Sequence, residues 1–305
     1  MKAIALPLAV TAAGTIAHLL VPEQSAFLAR VAIMMLFVVS IDLVTGTAKI
    51  ATLGQAAFFG LGAYAAGLLA LHGTAAPLPG LLFAALVGGV AAAGFALFLL
   101  RVSDLAFLVL TIAFAALLFE LSNQWRGLTG GADGLFGILM SPIAGTFSFD
   151  LFGVTAFWYA LAVLALALLV LSRVMASPFG LSVRALGLNP LRTEALGYDV
   201  RRRQIAIFSL AGAVAGLAGG LNAQVTELVS PSVFAFALSA EAVVMLVLGG
   251  AGRLTGAVVG TAVYMGAEHF AAANDPFNWL FVVAGLLLLV VFVMPRGIVG
   301  LFSRR

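Results

Sequence analysis

Residues 151–172 read LFGVTAFWYALAVLALALLVLS, a run with no charged side chain. About 20 apolar residues of α-helix cross the hydrocarbon core of a bilayer, and this run has that length. It lacks the alternation that a lipid-facing β-strand would need. Working outward, further apolar segments lie at 3–20, 30–46, 54–71, 79–100 and 104–122 on one side and at 204–222, 238–250, 255–271 and 277–294 on the other. The composition agrees: of 305 residues, 63% are hydrophobic and 9% charged, and the mean hydropathy is +1.19. Soluble domains carry about 25% charged residues, so a water-soluble globule is excluded. The expectation is an all-α polytopic membrane protein of about ten transmembrane helices, forming a single domain over 1–305.

Orientation follows from the basic residues, which favour the cytoplasmic side. With the N-terminus inside, alternation places Lys2, Lys49, Arg101, Arg173, Arg184, Arg192, Arg201, Arg202, Arg203, Arg253, Arg296, Arg304 and Arg305 in the cytoplasm. Only Arg30 and Arg126 remain outside, so thirteen of the fifteen basic residues fall on one side. Losing one span in the middle would destroy that pattern. Both termini are therefore expected in the cytoplasm. Met1-Lys2 followed by an apolar run is similar to a signal peptide, but no small-x-small cleavage site precedes Pro22, and the run reads as a retained first span. The segment 238–250 is short enough for a re-entrant or tilted course.

The 34 glycines cluster inside spans, as at Gly54, Gly60, Gly62 and Gly67, and again at Gly212, Gly216, Gly219 and Gly220. Tight helix packing in lipid explains such clusters, and so do broken helices lining a pathway. Spans 2–5 and 7–10 are offset by five, an odd number, so equivalent spans would run in opposite directions. That permits an inverted repeat, with faint support from LGQAAFFGLGAY at 53–64 against LGGAGRLTGAVVGTAVY at 248–264.

The loop at 173–203 carries six arginines and two sets of helix punctuation. Ser177 suits an N-cap, Pro178 the first helical position and Gly187 a stop; Asn189, Pro190 and Gly197 repeat the three signals. The spacing predicts two short helices outside the bilayer. A helix-turn-helix for nucleic acid fails, since each helix has barely two turns and no core of its own. A basic surface for anionic lipid head groups and a docking element for a soluble partner remain.

At this point the sequence resembles a known family. SVRALGLNPLRTEALGYDV at 182–200 is similar to the cytoplasmic loop of binding-protein-dependent ABC importer permeases of the branched-chain amino acid family. LGQAAFFGLGAYAAGLL at 53–69 resembles that family's segment after the second span, and TGGADGLFGI at 129–138 its external-loop signature. FSLAGAVAGLAGGLNA at 208–223 and SPSVFAFALSAEAVVMLVLGGAGRLTGAVVGTAV at 230–263 follow in the expected order. The chain departs from the family where it reads Leu188-Asn189-Pro190-Leu191, since relatives usually carry an acidic residue there, and at Gly256-Ala257, where relatives tend to have proline.

The resemblance implies a permease subunit of an inner-membrane importer, carrying branched-chain amino acids or a related small polar solute; urea or a short amide is the alternative within the family. It implies ATP-binding cassette ATPase subunits, a second homologous permease subunit and a periplasmic or lipid-anchored substrate-binding protein as partners, with membrane lipid around the chain. The coupling residues it implies are Arg184, Ala185, Glu194, Ala195 and Gly197. Gly54, Phe58, Gly62 and Glu241 are candidates for the translocation pathway or a subunit contact.

The residues themselves point away from catalysis. There is no phosphate-binding Gly-x-x-x-x-Gly-Lys-Ser/Thr loop, so ATP would be hydrolysed elsewhere. His18, His72 and His269 lack metal-ligand spacing, the chain has no cysteine, and no cofactor site is expected. Within the spans stand Asp42, Glu120, Glu241 and Glu268, where a charge costs on the order of 2.5–3.5 kcal/mol. Asp42 and Glu120 sit near span ends and are expected to reach interfacial water. A secondary transporter driven by an ion gradient is the rival of another class, and it would need paired carboxylates at mid-membrane.

Overall fold

In lipid the backbone must satisfy its own hydrogen bonds, so long apolar segments fold as helices. The computed structural model describes residues 2–99, 102, 104–142, 153–275, 279–294 and 297–302. Arg101, Arg296, Arg304 and Arg305, four of the residues used above for orientation, lie outside the described residues. The helices are α1 (Lys2–Leu20), α2 (Ser25–Ile41), α3 (Gln55–His72), α4 (Pro77–Leu99), α5 (Asp104–Gln124), the single turn α6 (Arg126–Thr129), α7 (Val154–Ala176), α8 (Pro178–Leu188), α9 (Pro190–Ala195), α10 (Val200–Thr226), α11 (Phe236–Gly249), α12 (Leu254–Asn274), α13 (Trp279–Val293) and α14 (Ile298–Phe302). No strand occurs among the described residues; Leu135 and Val229 form one isolated antiparallel bridge.

Each of the ten apolar segments coincides with a helix. By length and apolarity, six helices among the described residues can cross a membrane, or seven if α11 and α12 count as one span bent by 110°. The short segment at 238–250 is thus one arm of a sharp elbow.

α10 is the centre of the bundle and packs on α3, α4 and α2. Small residues let these backbones touch, which is how helices associate where lipid supplies no hydrophobic drive. A Cβ added to Gly62 would collide with the Gly216 backbone, and one added to Gly216 would stand 3.1 Å from the Gly88 Cα. Hydrogen bonds reinforce the contact: the Ser209 hydroxyl donates to the Gly89 carbonyl at 2.9 Å. The Gln224 amide donates to the Pro77 carbonyl at 2.8 Å, while its oxygen accepts from the Tyr159 hydroxyl at 2.8 Å. Helices α4, α7 and α10 are pinned at that point. Phe58, Phe95, Phe107, Phe114 and Phe208, from α3, α4, α5 and α10, form a cluster of stacked, tilted and edge-on rings. On the other side, α2 joins this core to α7 and to α12.

Candidate functional site

The loop helices form where the punctuation places them, with two differences, the first being that the Ser177 hydroxyl donates back to the Val174 carbonyl at 2.7 Å and makes no side-chain cap on α8. Pro178 opens α8, and Asn189 caps α9 by accepting the Arg192 N–H at 3.0 Å. Gly187 does not stop α8, which runs on to Leu188. Its lack of a side chain serves packing instead, because a Cβ there would stand 2.5 Å from the Thr47 carbonyl oxygen. Gly197 adopts φ +87°, the left-handed turn that releases the chain from α9. Asp199 then caps α10 by accepting the Arg202 N–H, and its carboxylate pairs with the Arg202 side chain at 2.9 Å.

The predicted coupling residues lie together on this excursion. Arg184, Ala185, Glu194, Ala195 and Gly197 are all exposed, and so are Leu188 at 85% and Leu191 at 79%. Buried anchors hold the pair from beneath: Val183 and Leu186 on α8 and Thr193 on α9. The Arg203 guanidinium lies over the Phe179 and Tyr198 rings at 5.6 and 5.4 Å and so ties α8 to the start of α10. The result is a firmly seated platform with leucines and charges facing outward.

What lies under the platform is informative. After α2 the chain makes a wide π-type turn at Asp42–Thr47, and α8 rests on it. Such bulges often mark functional positions. Lys49 leaves this turn at φ +59°, a left-handed conformation rare outside glycine. Asp42 does not reach interfacial water as expected from its place in the sequence: it is fully buried. The reason is a partner 210 residues away, the Gly252 N–H, which donates to the carboxylate at 2.6 Å. Gly250 and Gly252, at φ +108° and +91°, form the elbow between α11 and α12. Platform, π-turn and elbow are therefore in direct succession. Glu120, by contrast, is exposed as expected and accepts from the Gln124 amide.

The pathway candidates divide. Gly54 is buried, and a Cβ there would stand 2.8 Å from the Thr111 Cβ on α5. Phe58 belongs to the phenylalanine cluster, and Gly62 to the α3–α10 crossing. These three line helix contacts rather than open space. Glu241 is half-buried on α11, within reach of the Tyr264 hydroxyl on α12, with Glu268 and Arg30 as its charged neighbours.

Two residues that sequence reasoning passed over stand where α3 and α11 begin. The Ser239 hydroxyl, in the first turn of α11, accepts the Ala56 N–H of the first turn of α3 at 2.8 Å. Beside it Gln55 is fully buried, and neither its amide nitrogen nor its oxygen has a hydrogen-bond partner. Such an orphaned group costs about 1–3 kcal/mol. The signal available was a lone glutamine at the head of an apolar run. No group of three or more metal-ligating side chains occurs among the described residues.

Against this geometry, a family model described as "Branched-chain amino acid transport system / permease component" matches residues 24–292. The chain is 27% identical over 286 residues to the high-affinity branched-chain amino acid transport system permease protein LivM of Escherichia coli K12, covering 85% of this chain and 65% of that protein. To the LivM protein of Salmonella typhimurium it is 29% identical over 285 residues, with the same coverage. To the corresponding LivH permease protein of Salmonella typhimurium it is 31% identical over 144 residues, or 47% of this chain and 46% of that one. The match thus spans somewhat under two thirds of the LivM relatives' length. No solved structure matches the chain.

Proposed function

This chain belongs to the family of branched-chain amino acid transport system permease components, and from that premise we propose that it is a membrane subunit of an ATP-driven importer of branched-chain amino acids. In this reading it crosses the bacterial inner membrane with about ten segments and both termini in the cytoplasm, as the distribution of arginines favours. The α8–α9 platform faces the cytoplasm, where ATPase subunits grip it. A binding protein delivers the solute to the opposite face, and a second, homologous permease subunit completes the pathway. The chain itself performs no chemistry.

The observation that carries this reading is the succession from platform to π-turn to elbow. A push on Leu188, Leu191 and Glu194 reaches Thr47 through Gly187, and reaches Gly252 through Asp42. A bend of 110° flanked by left-handed glycines is a natural hinge, since small residues absorb backbone change. ATPase closure would move α11 and α12 against the glycine-locked core. Arg184, Ala185, Glu194, Ala195 and Gly197 transmit force, and Gln55, beside the meeting ends of α3 and α11, belongs to the pathway that opens between them. Gly54, Phe58 and Gly62 guide that opening by packing.

Mild-detergent purification of the tagged chain, with mass spectrometry of its companions, tests the reading. ATPase subunits and a second permease should co-purify, and the reconstituted assembly should take up leucine only with ATP and a binding protein. A chain that arrives alone and supports gradient-driven uptake in vesicles would overturn it.

A further inference from the structure

The chain folds back along α3 in a way that brings two helix starts together. Val229 packs beside Gly67, the Phe234 ring fills the place of a side chain at Gly60, and Ser239 meets Ala56. Residues 229–239 therefore run antiparallel to α3, from its end to its head, and α11 carries on past that head to the elbow at Gly252 and Asp42. The first turns of α3 and α11 lie side by side, between the Leu135–Val229 bridge and the π-turn under the platform. Neither is capped by the side chain of its N-cap residue, Gly54 or Ala235, and neither has an acidic residue in its first turn. Two positive helix ends thus share one place inside the bundle. Hydroxyl groups serve the backbone there: the Leu53 N–H donates to Thr111 at 3.4 Å, the Gly54 N–H to Thr52 at 3.3 Å and the Ala56 N–H to Ser239 at 2.8 Å. Thr52, Thr111 and Ser239 are buried, and Gln55 among them is fully buried. Gln55 is left out of the arrangement, for neither end of its amide has a hydrogen-bond partner among the described residues. A residue needed here only for packing would do better as an unbranched apolar side chain of similar size, which carries no polar group to bury.

We propose that the meeting heads of α3 and α11 form a carboxylate-binding subsite, in which the Gln55 amide donates to the carboxylate and the two helix N-termini supply the field that favours it. The proposal rests on the permease reading above and goes beyond it in naming the contact and the end of the solute that makes it. An amide nitrogen carries two N–H donors, and a hydrogen bond to an ionised acceptor is stronger than one to a neutral group. Helix N-termini are ready anion sites, and transporters aim those of interrupted helices at the anionic groups of their solutes. In the closed arrangement the Ala56–Ser239 hydrogen bond holds the two heads together; a swing of α11 about its elbow parts them and admits the solute to Gln55. A solute without a carboxylate, such as urea or a short amide, leaves the two positive ends without a counter-charge. The subsite therefore discriminates between the two cargo classes that the sequence leaves open.

The test compares the intact permease assembly carrying the parent chain with one carrying Gln55→Met. Removing an unpaired buried amide should raise the midpoint of thermal unfolding by about 2 °C. ATP-driven leucine uptake should nevertheless fall about tenfold, for want of one charge-assisted hydrogen bond. Isovalerate, a carboxylate with the same branched chain and no ammonium group, is then added to both assemblies in nanodiscs. It should raise the unfolding midpoint of the parent by about 2 °C and leave that of Gln55→Met unmoved. Leucinamide, which lacks the carboxylate, should move neither. A Gln55→Met assembly that melts below the parent, or that takes up leucine at the parental rate, would overturn the proposal. So would a shift by leucinamide equal to that by isovalerate, or no shift by isovalerate at all. A parent assembly without ATP-driven uptake would strike at the permease reading itself, and the two failures are distinguishable on that basis.

Discussion

The two sides of the bundle both use glycine for close backbone contact, but they differ in how the chain runs through it. Around α10, glycine and alanine bring backbones of α3 and α4 into contact, and the residual polar groups are tied across helices by Ser209, Gln224 and Tyr159. Around the α11–α12 elbow the chain turns through left-handed glycines, and one buried carboxylate holds the turn to the end of α2. The first arrangement ties three helices along their length. The second adds to close glycine contacts, Gly249 against Gly256 and Gly260 against Met245, a hydrogen bond from Gly252 to one buried carboxylate. Proteins that must move keep one part over-determined and another poised, and local stability differs accordingly.

Substitutions can break or sharpen this contrast, read as the thermal stability of the solubilised chain. Gly216→Leu should do most damage, since a branched side chain has to be forced between the α3, α4 and α10 backbones; overpacking costs about 1–3 kcal/mol and more where the obstacle is backbone. A variant that expresses and melts like the parent would show that the core is not locked. Asp42→Ala removes the partner of the half-buried Gly252 N–H, and should cost about 1 kcal/mol and abolish uptake. If it lowers stability by that amount yet transports normally, the elbow is structural and not a hinge. Tyr159→Phe removes one neutral hydrogen bond to Gln224, worth about 1 kcal/mol, and should leave uptake untouched because it belongs to the locked side. Impaired transport in that variant would blur the division. Gly197→Pro should move the unfolding transition least, as the turn is exposed and a side chain there meets nothing within 4 Å. Proline cannot adopt φ +87°, however. ATP hydrolysis should therefore continue while uptake stops, and coupled transport in the variant would remove the platform from the coupling route.

Much of this was legible in the sequence. Apolar runs of span length became helices, and Ser177-Pro178 and Asn189-Pro190 began α8 and α9, because these signals are local: a helix answers to its own side chains and to the residues beside them. Three other features depended on distant contacts. Asp42 reads as an interfacial carboxylate until Gly252 is brought to it. Gly187 reads as a helix stop until Thr47 occupies the place of its side chain. Gln55 reads as a polar residue at the head of a span until the assembled helices bury it completely. The candidate site divides the same way. The two short helices carrying the residues that the resemblance implies for coupling could be placed from spacing, whereas the Gln55–Ser239 meeting point arises only when α3 and α11 are assembled.

The hydrogen bond from Ala56 to Ser239 spans 183 residues, and this bears on how the chain is made. α3 leaves the ribosome long before α11, so its opening turn must wait, uncapped, until most of the polypeptide has been synthesised. An apolar helix with unsatisfied N–H groups at its head is costly to leave in lipid. A chain that ends before α11 is therefore left with that N–H without its hydroxyl partner, and the head of α3 is completed only when α11 arrives.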